Sequence, residues 1–156
     1  MTLTASSEAP AFPLTGDFLA GRLRQNLSLD DLKYIEGLVD TVAEYGDIAR
    51  LLARGTKTDR STILIEGYIF RTIESAGKRF ITGIHVPGDF VDLHGFALKR
   101  LDHNIDAAGR VTVGSVSHDT LRKVMRDRPG VARAMWFATL LDAAIHRKWI
   151  QMLEQL

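Results

Sequence analysis

The sequence predicts a mainly β chain of the α+β class. It reads as a jelly-roll-like barrel of short antiparallel strands, with a short helix before it and a long helix after it. Three observations carry this. Turn dipeptides crowd residues 46–109: Gly46-Asp47, Arg54-Gly55, Glu66-Gly67, Ala76-Gly77, Pro87-Gly88 and Ala108-Gly109. The runs between them alternate in hydrophobicity, as half-buried strands do. Val131–Leu156 then runs with neither Gly nor Pro. At 156 residues and 46% hydrophobic content, the chain is one ordinary domain able to bury a real core.

Residues 1–27 read as a leader. Thr2, Thr4, Ser6, Ser7, Pro10 and Pro13 favour no packed element, so a frayed terminus is expected to about residue 16. Ser28 with Asp31 has capping-box spacing, and Leu29, Leu32, Ile35 and Leu38 or Val39 follow at three-to-four intervals, which predicts an amphipathic helix. Ile63, Ile65, Tyr68 and Phe70 alternate about Glu66-Gly67. Phe80, Ile81, Ile84 and Val86 form a second strand-like run, and Val111, Val113 and Val116 a third. Ser117 is placed to cap a helix carrying Thr120, Leu121, Val124 and Met125, which Asp127-Arg128-Pro129-Gly130 breaks. The last helix, at ~1.5 Å per residue, is about 39 Å long, more than one small barrel needs. It reaches Gln155-Leu156 without a Gly stop, so the sequence is expected to be cut from a longer chain. The expected division is a leader over 1–27, a barrel domain over 28–127 and a separate helix over 128–156.

Composition excludes several classes. With no cysteine there is no disulfide framework, thiolate metal site or cysteine nucleophile. No run approaches the ~20 apolar residues of a membrane span, and no basic residue precedes an apolar run in Met1–Pro13 as a secretory signal requires. A cytoplasmic location with no membrane partner is expected. Lys and Arg number 20 against 19 acidic residues, and the pI is near 8.1, so this chain is not expected to grip DNA by itself. No G-x-S-x-G, H-E-x-x-H or Walker loop is present, and no enzymatic activity is expected.

From Val86-Pro87-Gly88-Asp89-Phe90-Val91 onward the order becomes specific: strand, Pro-Gly-Asp-Phe, a short helical stretch from Asp92 to Leu101, a returning strand, a long helix. Ile65-Glu66-Gly67-Tyr68-Ile69 looks like a glycine turn before a strand, and Gly77-Lys78-Arg79 like a charged hairpin tip. Ser115-Val116-Ser117 with Leu121 looks like a strand-to-helix junction. Over roughly Val42–Leu156 the chain resembles the sensor half of the Crp/Fnr superfamily of bacterial transcription regulators, built on the cyclic-nucleotide-binding β-roll. The resemblance implies an effector-sensing and dimerisation domain. It implies DNA contact only through a helix-turn-helix domain that this sequence does not contain. The implied mechanism is two-state, with an effector at the barrel biasing the placement of two long helices.

In nucleotide-binding members of that family, Pro-Gly-Asp-Phe leads into a Gly-Glu pair whose carboxylate accepts from the ribose 2′-hydroxyl. An Arg followed by a small hydroxyl residue, about ten positions on, holds the cyclic phosphate by a charge-assisted bond. Here Asp92-Leu93 occupy the Gly-Glu positions, and Lys99–Asp106 holds no Arg-Ser or Arg-Thr pair. Near the base-contacting position of the long helix stand His146-Arg147. Leucine cannot replace a carboxylate, and Asp106, if turned inward, repels phosphate. Cyclic AMP in the usual mode is therefore not expected; a different small effector, or none, is. The candidate pocket comprises Gly88, Asp89, Phe90, Val91, Asp92, Leu93, His94, Arg100, His103, Arg110 and His146. Within it Arg100 or Arg110 would supply positive charge, and Asp89 would cap the cassette helix. The pattern names neither the effector nor a cofactor.

Histidines 85, 94 and 103 recur at nine-residue intervals around this cassette. The β-roll is related in shape to cupins, so the rival reading is a small cupin-like metal protein or enzyme using His85, His94 and His103, with Asp92 or Asp102 as carboxylate ligand. The His-x-His strand pair of cupins is absent, no two histidines lie two to four residues apart, and no metal ligands are assigned. His94 and His103 are expected to shape the loop through hydrogen bonds. In the long helix Met135, Ala138, Asp142, Ile145, Trp149, Met152 and Leu156 follow alternating three and four spacing, the seam of a homodimer. Phe137, Leu140, Leu141 and Ala144 lie on another face, expected to pack on the chain's own barrel.

Overall fold

The computed structural model describes residues 11–156. After helix α1 (Leu29–Glu36) come β1 (Thr41–Tyr45), β2 (Arg50–Leu52), β3 (Arg60–Glu66), β4 (Ile69–Ser75) and β5 (Lys78–His85). Then follow α2 (His94–Leu98), β6 (Asn104–Ala107), β7 (Val111–Ser117), α3 (His118–Asp127) and α4 (Pro129–Glu154). The strands form two antiparallel sheets, in orders β1-β7-β3 and β2-β6-β4-β5.

The expected caps are in place. Ser28 Oγ accepts from the Asp31 amide and Ser117 Oγ from the Thr120 amide, each at 3.1 Å. The corner between β3 and β4 demands glycine: Gly67 has φ +90°, and a Cβ there would stand 2.4 Å from the Arg110 carbonyl oxygen.

Two apolar clusters form the core of the described residues. Leu64, Ile69, Val91, Leu101, Ile105 and Val111 pack between the sheets. Phe18, Ile35, Ile63, Val116, Leu121 and Met135 join sheet β1-β7-β3 to the helices and the N-terminal segment. That segment corrects the expected leader. Residues 1–10 lie outside the described residues, but from Ala11 the chain folds in successive turns with Phe12, Phe18 and Leu19 buried. Phe18 meets Phe90 edge-on at 5.6 Å. Glu36 of α1 fastens the segment by accepting from the amides of Leu14 and Thr15, both at 2.9 Å. Burying two phenylalanine rings outweighs the loop bias of Pro13.

The faces of α4 also differ from expectation. Met135 is fully buried, Ala138 packs on the helical core, Asp142 pairs with Arg71, and Trp149 lines a cleft in the chain's own domain. This stripe, read as a dimer seam, turns inward for most of its length. Beyond Trp149 the helix outruns the barrel, so Met152 and Leu156 are exposed, as is Ile145. Phe137, Leu140 and Ala144, expected on the barrel, face outward; only Leu141 reaches the cleft. Both stripes are apolar, and the barrel docks on only one of them.

Candidate functional site

A cleft of about 880 Å³ opens between the β2-β6-β4-β5 sheet, the N-terminal turns and α4. β4 supplies Arg71, the end of β5 His85, α2 His94, the approach to β6 Asp102 and His103, and α4 Asp142 and His146.

Arg71 sits at the centre of this wall. Its Nη1 donates to Asp142 Oδ2 at 3.0 Å and lies 3.3 Å from His146 Nε2, while Nη2 lies 3.3 Å from His85 Nε2. Its Nε is buried with no hydrogen-bond partner among the described residues. The guanidinium thus ties β4 and β5 to α4. Gly83 makes the approach possible, since a Cβ there would come 3.1 Å from His146 Nε2.

On the floor of the cleft, the rings of His94 and His103 lie 4.9 Å apart. Asp102 Oδ1 is 2.5 Å from His103 Nδ1 and 3.6 Å from His94 Nε2. Burial raises the Asp102 carboxyl, but the adjoining His103 outweighs it and holds the group below the ordinary carboxylate range. Burial, reinforced by the charge of Arg71, pulls His94 below the ordinary histidine value and His103 down to about 4. Both imidazoles are neutral at pH 7. The ionised carboxylate accepts from His103 Nδ1–H, which leaves Nε2 of that ring as a bare lone pair.

Asp92 has no part in the cleft. Fully buried, it accepts from the Thr62 amide at 2.6 Å and from Thr62 Oγ1 at 3.2 Å, and burial pushes its carboxyl up to about 7.

Gly88, Asp89, Phe90, Leu93, His94, His103 and His146 line the cleft. Val91 is buried between the sheets instead. Arg100 donates to the Gly55 carbonyl, and Arg110 lies outside beside Glu44, so neither brings charge to the cleft. Asp106, held by Arg50, Arg79 and Thr72, does not face it. Asp89 does not cap α2: it accepts from the Val86 amide at 3.1 Å and sits 3.4 Å from His85 Nδ1. His85 stays with Arg71 and Asp89, and Asp102 takes its place beside His94 and His103. Arg71 was not singled out from the sequence, although a lone arginine inside a strand run is a signal.

No family model and no curated protein sequence matches the chain. Solved structures do. The regulator CLP of Xanthomonas campestris, described as responsive to c-di-GMP, superimposes with TM-score 0.70 at 12% identity, over 83% of this chain and 66% of that one. The N-terminal domain of a transcriptional regulator from Streptomyces coelicolor gives 0.63 at 16% identity, over 89% of this chain and 93% of that one. A regulatory domain of Toxoplasma gondii PKA crystallised with cAMP gives 0.58 at 14% identity, over 65% of this chain. The fold is the cyclic-nucleotide-binding β-roll. The chain spans 39% of the PKA chain and about two thirds of CLP. Within the β-roll, Leu93 is buried in the helical core cluster, at the position where the resemblance calls for a ribose-binding carboxylate. No helix among the described residues is long and apolar enough to cross a membrane.

Proposed function

We propose that the chain is the effector-sensing and dimerisation domain of a Crp/Fnr-like transcription regulator, regulatory rather than catalytic and working in the cytoplasm. One observation carries this reading. Helix α4, which leads away from the β-roll, is fastened across the cleft by Arg71 through Asp142 and His146. A polar occupant competes for that guanidinium, and it shifts α4 by as much as its affinity differs between two helix placements. The regulator neighbours support this assignment.

Cyclic AMP in the usual mode does not fit, because Leu93 offers no acceptor to the ribose and neither Arg100 nor Arg110 reaches the cleft. Calorimetry with cyclic AMP and cyclic GMP is expected to show no binding at micromolar concentration. A micromolar dissociation constant for either overturns this part of the reading.

A twin chain is proposed to cover the outward stripe of α4. Trp136, Leu140, Ala143 and Ile150 recur there at heptad spacing, all exposed. Sedimentation is expected at twice the chain mass for the wild type and at the chain mass for Leu140→Glu. A wild-type monomer throughout the micromolar range refutes the dimer. DNA contact belongs in this reading to a separate domain, so this chain alone gives no salt-resistant gel shift of duplex DNA.

A further inference from the structure

We propose that the floor of the cleft is a divalent transition-metal site, formed by the imidazoles of His94 and His103 and the carboxylate of Asp102. Two independent features lead there. One ligand atom from each residue lies within 4.8 Å of the other two. Nε2 of His94 and Nε2 of His103 are both buried with no hydrogen-bond partner among the described residues. A buried polar atom left unpaired is unfavourable, so two in one cleft mark an occupant with empty orbitals or protons to share. Binding exchanges the Asp102 hydrogen bond to His103 Nδ1 for a bond to the cation, and the Asp102 side chain, exposed at the surface of the cleft, has room for that exchange.

The spacing suits a cation. Ligands about 2.1 Å from a tetrahedral centre stand about 3.4 Å apart. His94 Nε2 and Asp102 Oδ1 are 3.6 Å apart, too far for a hydrogen bond and near that edge length. Two imidazoles and one carboxylate select Zn²⁺, Co²⁺, Ni²⁺ or Fe²⁺ over Mg²⁺ or Ca²⁺, which prefer all-oxygen shells. The opposing charge, Arg71, is directed to Asp142 at 3.0 Å. Only side chains of α2 and of the turn before β6 are used, so the rest of the coordination sphere faces the cleft. The site stands apart from the question of whether α4 moves.

The test is titration of tag-free, chelator-stripped protein with Co²⁺, read by its visible d–d absorption. One Co²⁺ per chain is expected, displaced by Zn²⁺. Asp102→Asn is the decisive variant, because that side chain is 72% exposed and lies outside both apolar clusters. It is expected to weaken Co²⁺ binding at least about tenfold. His94→Gln and His103→Gln, checked for folding by circular dichroism, are expected to abolish the absorption, while His85→Ala and His146→Ala retain it. Absence of the absorption in the wild type at submillimolar Co²⁺ overturns the proposal. So does binding that survives the first three changes or falls only with His85→Ala or His146→Ala.

Discussion

Asp92 gives the sharpest physical prediction. It is fully buried, its side chain accepts from the Thr62 amide and Thr62 Oγ1, and its carboxyl is pushed up to about 7 by burial against an unfolded value of 3.8. A carboxyl whose folded pKa is raised favours folding while protonated. Its contribution is complete below the unfolded value and is lost as pH rises through about 7. Linkage between 3.8 and 7 gives about 2.5 kcal/mol lost between roughly pH 5 and pH 7.5. Other groups titrate in that window, and His103 runs oppositely, since its lowered pKa makes stability rise with pH. The effect is therefore read as a difference. Asp92→Asn keeps the acceptor for the Thr62 amide and cannot ionise. Urea denaturation of both proteins at pH 5 and pH 7.5 is expected to show the variant gaining about 2.5 kcal/mol on the wild type over that interval. A gap that does not change with pH refutes the burial argument and means that Asp92 is ionised in the fold at pH 5.

The remaining predictions concern packing and the latch on α4. Phe18→Ala, at a side chain 1% exposed and edge-on to Phe90, is expected to lose about 3–5 kcal/mol in urea denaturation. A loss under about 1 kcal/mol restores the reading of residues 11–27 as a dispensable leader. Gly88 has φ +94°, and a Cβ there would stand 2.2 Å from the Asp17 carbonyl oxygen. Gly88→Ala is expected to cost about 2–4 kcal/mol, while Gly46→Ala, with open space and no positive φ, stays within about 0.5 kcal/mol. Arg71→Met is expected to speed amide hydrogen exchange in residues 139–149 of α4 and leave α3 unchanged. Equal exchange in both proteins removes Arg71 as the latch.

What the sequence disclosed follows from how local each determinant is. The turns at Gly67 and Gly88 and the caps at Ser28 and Ser117 are written in adjacent residues, so β3, β4, β5, β7 and the helices were legible in order, while β1 and β2 were not. The azimuth of the α4 stripes was legible too, but not their occupants. Apolar spacing defines a face, and only the position of the barrel decides whether that face is core or surface. Trp149 lines the cleft and Leu140 is exposed for that reason. The N-terminal segment hid its core aromatics because turns impose no period on Phe12 and Phe18. Arg71 was hidden by a register shift between Arg71 and Thr72, which breaks the two-residue alternation where the side chain matters most.

The histidine cluster shows the same limit at the site itself. Metal spacing rules work within one element, where ligands two to four residues apart share a face. His94 opens α2 and His103 precedes β6, so their meeting depends on how the chain returns between them. It returns through Lys99, whose φ of +68° places a non-glycine residue in the left-handed region at the end of α2. Lysine carries no signal for that conformation, which is held by the Lys99 amide donating to the Gly95 carbonyl at 2.9 Å. Without the turn, nine residues separate the two rings and no local pattern joins them. With it, the rings lie 4.9 Å apart beside one carboxylate, and the unpaired nitrogens call for an occupant.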